Sequence, residues 1–184
     1  MSDLCVAILA AGLSNRFGDS KLSTVHKGKP LICHCYDALA ELGTPVHVVT
    51  GGHRHLVVKA LGDRPFIEIP NPNFAQGKHT SIYQAIQAAK QTQSDLLFSL
   101  ADLPDVRSDQ YQSLVDRGRS LNQPVLSRFA GQVDGPPVFL PHHQLLNFQP
   151  LQPGDSIKRR YDYSWIQISE AETDIDRPDD IIDS

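Results

Sequence analysis

The sequence predicts a three-layer α/β fold in which a doubly wound, mainly parallel sheet carries helices on both faces. Short apolar runs alternate with longer segments of helical character, which is the pattern of consecutive β-α-β units. The first run, residues 6–9, is short and continuous, as in a strand that is buried on both faces. It leads directly into a glycine-rich, basic segment, an arrangement that open α/β sheets use at the carboxyl edge of their strands.

The remaining elements follow the same alternation. Further strands are predicted at 45–50, 66–69, 96–100, 125–129, 138–140 and 165–168. Helices are predicted at 30–42, 53–61 and 108–121, another follows the loop at 77–81 and ends near residue 92, and a short one comes after Pro178. Pro30 suits the first turn of its helix and Gly43 suits the end of that helix, while Ser108 is the expected N-terminal cap of the helix that it begins.

Size and charge limit the possible functions. We expect one domain over residues 1–184, because 184 residues with 40% hydrophobic content are enough for one core. The formal charge of −4 gives no electrostatic support for nucleic-acid binding. The sequence contains neither a long apolar run for a membrane helix nor a signal peptide, so a cytoplasmic protein is expected.

The cysteines and histidines do not have the spacing of a metal site. Three cysteines, an odd number, argue against a disulfide framework. Cys33 and Cys35 fall in a predicted helix, where residues two apart point to roughly opposite faces, so they are expected to be ordinary buried cysteines. The histidine pairs 53/55 and 142/143 also lack helical zinc spacing. His79 differs, because its position in a glycine-containing loop would let it touch a bound ligand.

The segment after the first strand has the composition of a phosphate-binding loop. It reads Leu9-Ala10-Ala11-Gly12-Leu13-Ser14-Asn15-Arg16-Phe17-Gly18-Asp19-Ser20-Lys21. Glycines let the backbone approach a ligand, exposed N–H groups form an anion site, and Arg16 and Lys21 add positive charge. The spacing matches neither the P-loop nor the dinucleotide pattern. An ordinary glycine turn with two surface cations is the alternative.

Acidic residues follow two predicted strands. Asp102 comes just after the strand at 96–100, and its carboxylate is expected at the carboxyl edge of the sheet, beside the first loop. One carboxylate is enough for Mg²⁺ when phosphates and water supply the other oxygens. The alternative is a carboxylate that caps the turn before Pro104. Asp174 and Asp176 share one face of an extended segment, and either could complete the site, although such acidic runs are usually solvated.

Five motifs now occur in a defined order along the chain. They are L-A-A-G-x-S-x-R-x-G-x-x-K at 9–21, L-A-D-x-P at 100–104, G-x-P-V at 135–138, G-D at 154–155 and D-I-D-x-P-x-D at 174–180. Together they resemble the MobA-like nucleotidyltransferase family, nearest to its molybdenum cofactor cytidylyltransferase branch. The resemblance implies a Rossmann-like sheet of the nucleotide-diphospho-sugar transferase type. It also implies Mg²⁺-dependent transfer of a nucleoside monophosphate to a phosphate-bearing acceptor, with release of pyrophosphate.

The resemblance assigns roles to individual residues. The catalytic residues would be Arg16, Lys21 and Asp102, and the ligands of Mg²⁺ would be Asp102 and Asp176. The nucleotide-binding residues would be Leu9, Ala10, Ala11, Gly12, Ser14, Arg16, Lys21, Gly77, Ser81 and Asp102. The loop from Gly77 to Ser81 would help to hold the base.

Donor and acceptor are less firmly indicated. Ala10-Ala11-Gly12 resembles the cytidine-using branch, whereas the guanosine-using branch tends to L-A-G-G, so CTP is expected over GTP. Molybdopterin is the expected acceptor, and a molybdoenzyme or a chaperone could receive the product. However, the segments 77–81, 135–138 and 154–159 depart from the family pattern on the acceptor side or near the base. A cytidylyltransferase or other NTP transferase acting on a sugar- or polyol-phosphate, and a non-catalytic nucleotide-binding regulatory protein, are the alternatives.

Overall fold

The computed structural model describes residues 3–13, 21–129, 133–168 and 181. Its strands are β1 (Leu4–Ala10), β2 (Val25–His26), β3 (Lys29–Pro30), β4 (Val46–Thr50), β5 (Ile67–Pro70), β6 (Asp95–Leu100), β7 (Val125–Phe129), β8 (Val133–Leu140) and β9 (Ser164–Gln167). Its α-helices are α1 (Leu31–Ala40), α2 (Arg54–Leu61), α3 (Lys78–Gln91), α4 (Ser108–Leu121), α5 (His142–Leu145) and α6 (Ile157–Arg160). Short 3₁₀ helices lie at Lys21–Ser23 and Phe74–Gln76.

A seven-stranded sheet runs through the centre of the molecule in the order β5-β4-β1-β6-β8-β7-β9. β5, β4, β1 and β6 are parallel to one another, and β9 is parallel to β7. β8 is antiparallel to both of its neighbours. The mainly parallel, doubly wound sheet predicted from the sequence is therefore confirmed.

Alternating side chains of β1 show how the three layers are held together. Val6 and Ile8 belong to the core that the sheet forms with α1, α2 and α4. Ala7 and Leu9 belong to the core that it forms with α3 and α5 on the other face. Successive residues of a strand point to opposite faces, and both faces are covered here. This is why the strand reads as a continuous apolar run.

The start of β8 and a short hairpin near the beginning of the chain differ from the prediction. β8 begins at Val133 rather than at residue 138, because the Gly-Pro-Pro segment that reads as a turn continues the strand. Pairing with β7 shifts register between Leu126 and Ser127, and the two prolines of β8 fall at this irregularity. A bulge tolerates proline because the regular ladder of N–H donors is interrupted there. The short β2–β3 hairpin was not predicted either.

The N-terminus of α4 is capped differently from the prediction. The side chain of Gln110 accepts a hydrogen bond from the backbone N–H of Arg107, at 2.9 Å. The hydroxyl of Ser108 instead donates to the carboxylate of Glu41. The prediction that Ser108 caps this helix was therefore wrong. The side chain that bonds the free N–H belongs to Gln110, the third residue of the helix.

Other predictions concern absences or the chain terminus. Cys33 and Cys35 are buried, as predicted, and Cys5 is buried too. All three are free thiols, and the Cys33 thiol donates to the Ala60 carbonyl at 3.1 Å. Within the described ranges, no three His, Cys, Asp or Glu side chains are grouped as metal ligands, and no helix is long and apolar enough to span a bilayer. The helix predicted after Pro178 lies outside the described residues.

Candidate active site

The ends of β1 and β6 bring a lysine and an aspartate together at the carboxyl edge of the sheet. The strands are neighbours, with Leu9 beside Leu100, and the N–H of Ala101 donates to the Leu9 carbonyl at 3.3 Å. Just beyond, Lys21 Nζ donates to Asp102 Oδ2 at 2.8 Å. The Lys21 side chain is only 8% exposed and that of Asp102 is 22% exposed. Two charged groups 81 positions apart in sequence thus form a largely buried ion pair.

The second oxygen of the Asp102 carboxylate has no hydrogen-bond donor among the residues that the structure describes. Asp102 Oδ1 is buried, and none of the described residues donates to it. A buried carboxylate oxygen that has lost water without gaining a donor is unfavourable. Divalent cations such as Mg²⁺ are bound by oxygens of this kind. The geometry therefore fits a cation held by Asp102. Three other predicted site residues lie outside the described residues. They are Ser14 and Arg16, expected to bind the nucleotide, and Asp176, expected to bind the cation with Asp102.

The predicted loop residues Ala10, Ala11 and Gly12 continue from β1 and are packed against the loop that follows β4. The N–H of Gly52 donates to the Ala11 carbonyl at 3.2 Å, and His53 Nε2 donates to the Leu13 carbonyl at 2.8 Å. A Cβ on Gly51 would lie 2.7 Å from the Ala11 oxygen. The first loop can thus take this path only beside a residue without a side chain.

Sequence reasoning ended a strand at residue 50 and missed the role of Gly51 and Gly52 beside the first loop. The available signal was a pair of glycines directly after a buried parallel strand, since all such strands end at the same edge. Phe74 packs on the other side of these glycines, 2.7 Å from the position of a Cβ on Gly51. It links the first loop to the segment that contains Gly77.

The predicted base-binding residues Gly77 and Ser81 lie at the start of α3. Gly77 has φ +118°, a conformation that suits glycine, and it separates the 3₁₀ helix from α3. Ser81 is 5% exposed and its hydroxyl accepts a hydrogen bond from Asn71 Nδ2 at 3.0 Å. Asn71, which follows β5, was not singled out by the sequence. The structure joins Gly77 and Ser81 to the first loop through Phe74 but gives them no direct contact with Lys21 or Asp102 among the described interactions.

A cavity of about 160 Å³ opens between the start of α3, β8 and the start of α6. Its apolar wall consists of Ile82, Phe98, Leu126, Val138 and Ile157. Its polar rim includes Lys78, His79, Asp134, Asp155, Ser156 and Lys158. The segments around 135–138 and 154–159, which depart from the family pattern, therefore meet at one cavity.

Asp134 is fixed in the wall of this cavity. Its carboxylate accepts hydrogen bonds from Arg128 Nε at 2.5 Å, Arg128 Nη2 at 2.8 Å and the Tyr163 hydroxyl at 2.8 Å. The Arg128 guanidinium also lies 3.9 Å from the ring centroid of Trp165. Hydrogen bonding to Arg128 lowers the pKa of Asp134, and Lys158 lowers it further. The carboxylate is thus ionised and already paired, so the charge that the rim offers a ligand comes mainly from its cations.

Comparison with known proteins identifies the family. The profile of the MobA-like NTP transferase domain matches residues 6–162. The chain belongs to this family. The match includes Lys21, Asp102 and both segments that meet at the cavity.

Two curated relatives match the chain over only part of their own lengths. A bifunctional protein GlmU from Novosphingobium aromaticivorans is 29% identical over 67% of this chain and 28% of its own length. A probable molybdenum cofactor guanylyltransferase from Bacillus licheniformis is 32% identical over 58% of this chain and 52% of its own length. The chain thus spans about a quarter and about half of the lengths of these relatives.

Solved structures share the fold. A nucleotidyl transferase from Methanothermobacter has a TM-score of 0.77 at 18% identity, covering 97% of this chain and 94% of its own. A CMP:2-keto-3-deoxy-manno-octonic acid synthetase in complex with CTP has a TM-score of 0.74 at 14% identity, covering 97% and 95%. Rv0371c from Mycobacterium tuberculosis in complex with manganese has a TM-score of 0.71 at 16% identity, covering 97% and 96%. At these identities the likeness shows the nucleotide-diphospho-sugar transferase fold alone.

Proposed function

We propose that the protein is a Mg²⁺-dependent nucleotidyltransferase that moves CMP from CTP to a phosphate-bearing acceptor, with molybdopterin as the expected acceptor. The observation that carries the proposal is the Lys21–Asp102 pair at the carboxyl edge, with a buried carboxylate oxygen that no described residue satisfies. A cation held there by Asp102 would neutralise phosphate oxygens of the bound nucleotide. Asp176 is proposed as its second ligand and Arg16 as a second cation on the triphosphate.

The proposed reaction needs positioning and charge rather than a covalent residue. An oxygen of the acceptor phosphate forms a bond to the α-phosphorus as the bond to the β-phosphate oxygen breaks, and pyrophosphate leaves. The acceptor phosphate is already ionised, so no strong general base is required. Lys21 would shift from Asp102 to the triphosphate and, with the backbone N–H groups of residues 10–12, stabilise charge on the leaving group.

CTP is proposed as the donor because Ala10-Ala11-Gly12 follows the cytidine-using pattern. Among proteins of this fold, one solved structure contains CTP, while one curated relative is named a guanylyltransferase. Calorimetric titration with CTP and then GTP, each with and without Mg²⁺, tests the choice. Tight Mg²⁺-dependent binding of CTP alone would support it, and a preference for GTP would move the protein to the guanylyl branch.

The cavity beside α3 is proposed as the acceptor site. Its apolar wall suits a flat ring, and Lys78 and Lys158 at its rim suit a phosphate. A pterin phosphate satisfies both requirements, whereas a small sugar- or polyol-phosphate would leave the apolar wall in contact with water. Comparing pyrophosphate release with molybdopterin and with sugar phosphates would separate these acceptors.

Asp102→Asn tests the reaction itself. We expect this variant to keep its fold and lose Mg²⁺-dependent pyrophosphate release. Asp105→Asn is the matched control, because Asp105 lies in the same turn but pairs with Lys27 at the surface, at 2.6 Å. Near-normal turnover by Asp102→Asn would contradict the metal assignment. Binding of nucleotide without any turnover by the unmodified protein would favour the regulatory alternative.

A further inference from the structure

Asn71 occupies a buried position between the end of β5 and the start of α3. It is 2% exposed, and its backbone N–H donates to the Thr50 carbonyl of β4 at 2.9 Å. A polar side chain at such a position is retained only when its donors and acceptors are satisfied. The hydrogen bonds of its amide therefore define what the residue does.

The orientation of the Asn71 amide is fixed by its neighbours. Oδ1 accepts the backbone N–H of Asn73 at 3.0 Å. Because a backbone N–H can only donate, the oxygen must face Asn73 and the NH₂ group must face the other way. Nδ2 accordingly donates to Thr80 Oγ1 at 2.9 Å and to Ser81 Oγ at 3.0 Å.

This orientation decides what the two hydroxyls can do. Each accepts a hydrogen bond from Asn71, so each is left with one proton to donate. Thr80 donates to the Gly77 carbonyl at 2.8 Å. For Ser81 no acceptor is found among the residues that the structure describes, and the nearby Gly77 carbonyl is already bonded to the hydroxyl and the N–H of Thr80. Among the described residues, the hydroxyl proton of Ser81 is thus left available to a ligand.

The position of this donor along the sheet edge indicates its target. Lys21 and Asp102 stand where β1 and β6 end, and β5 lies two strands beyond β1, about 10 Å away at ordinary strand spacing. That distance is on the scale of a nucleoside. If the phosphates lay at Lys21, a nucleoside of this length would extend toward the start of α3.

We propose that Asn71 is a positioning residue that forces the Ser81 hydroxyl to donate a hydrogen bond to an acceptor atom of the nucleotide base. The inference rests on the proposed function, since it needs a nucleotide whose phosphates lie at Lys21. It assigns Asn71 no contact with the ligand. Its effect is to make the Ser81 hydroxyl accept from Asn71 and donate to the ligand.

Asn71→Asp tests this polarity with almost no change of shape. The carboxylate still accepts the Asn73 N–H, but its second oxygen takes hydrogen bonds instead of donating them and therefore captures the Ser81 proton. We expect the affinity for Mg²⁺-CTP to fall about tenfold, as for loss of one buried hydrogen bond. The affinity for Mg²⁺-tripolyphosphate, which has no base, should change less than about twofold. Asn122→Asp makes the same chemical change at the end of α4 and is the charge control.

The double variant Asn71→Asp/Ser81→Ala shows whether Asn71 acts through Ser81. Ser81→Ala alone should lower CTP affinity to a similar extent, and the double variant should bind no more weakly than the weaker single variant. If Asn71→Asp does not fold, as judged by thermal unfolding, Ser81→Ala still tests the donor. The CTP-specific loss must then appear in that variant.

Two results would overturn the inference while the proposed function stands. One is CTP binding by Asn71→Asp that equals that of Asn122→Asp. The other is an equal loss of CTP and tripolyphosphate affinity, which would mean a charge effect on the phosphates. If the unmodified protein bound tripolyphosphate but neither CTP nor GTP, the proposed function itself would fail, and the inference with it.

Discussion

Replacing Lys21 by methionine should destabilise the protein through Asp102. Methionine keeps the length and apolar stem of lysine but removes the charge, so Asp102 keeps its buried Oδ1 and loses the donor on Oδ2. Breaking a fully buried ion pair by removing one partner costs about 3–5 kcal/mol, whereas an exposed pair contributes about 0–1 kcal/mol. Lys21 and Asp102, at 8% and 22% exposure, lie between these limits. We expect a coupling free energy of about 2 kcal/mol.

A double-mutant cycle measures this coupling. The free energies of unfolding of the unmodified protein, Lys21→Met, Asp102→Asn and the double variant are obtained from urea titrations without nucleotide or divalent metal. The cycle cancels the other contacts of Lys21, because they are lost equally in both backgrounds. The double variant should be more stable than the sum of the single effects predicts. If the two single effects on the free energy of unfolding add to within about 0.5 kcal/mol, Lys21 is not the stabilising counter-charge of Asp102.

Three further predictions concern packing, pH and thiol reactivity. Gly118→Ala places a Cβ 2.0 Å from the buried ring of Phe139, so the free energy of unfolding from urea titration should fall by about 2 kcal/mol. A decrease under 0.5 kcal/mol would contradict this packing. Because Arg128 holds the pKa of Asp134 below its ordinary value, the pair stabilises the folded state above the unfolded pKa, and that stability is lost as pH falls through the folded pKa. Asp134→Asn should therefore be less stable than the unmodified protein at pH 7, with the difference shrinking below about pH 4, and a pH-independent difference would contradict the argument. Burial raises the pKa of Cys35 to about 11, so this thiol should react with a disulfide reagent at pH 8 only after unfolding, and reaction in the folded protein would contradict its burial.

The elements that could be predicted are those whose signal is local. The strand at 125–129 was predicted with the bounds that the structure gives, because apolar residues and flanking turn residues mark both ends. The β2–β3 hairpin was missed because each strand has only two residues, and because its turn places Lys27 at φ +47° before Gly28 at φ +81°, where Asn, Asp or Gly is usual at the first position.

Predictions failed where the deciding interaction comes from outside the segment. Asp102 could be placed at the carboxyl edge because the end of its strand is evident from the sequence. Lys21 could be predicted from the spacing of its loop motif. Nothing local shows that Gly51 must lie against the Ala11 carbonyl, or that Asn71 reaches two hydroxyls of α3. Those are tertiary contacts, and a single sequence carries no record of which residues meet.

The reversed direction of β8 brings a later part of the chain to the edge of the sheet where Asp102 lies. Because β8 is antiparallel to β6, its first residues rather than its last stand at the edge where Asp102 lies, and they bring Asp134 and Gly135 to the cavity. The elements that hold Lys21 and Asp102 end before residue 122, and most of the cavity wall comes after it. Under the proposed function, changes between residues 122 and 160 can therefore exchange one acceptor for another while Lys21, Asp102 and the proposed ligand Asp176 stay the same. Such a chain is suited to diversification by substitution in one half alone.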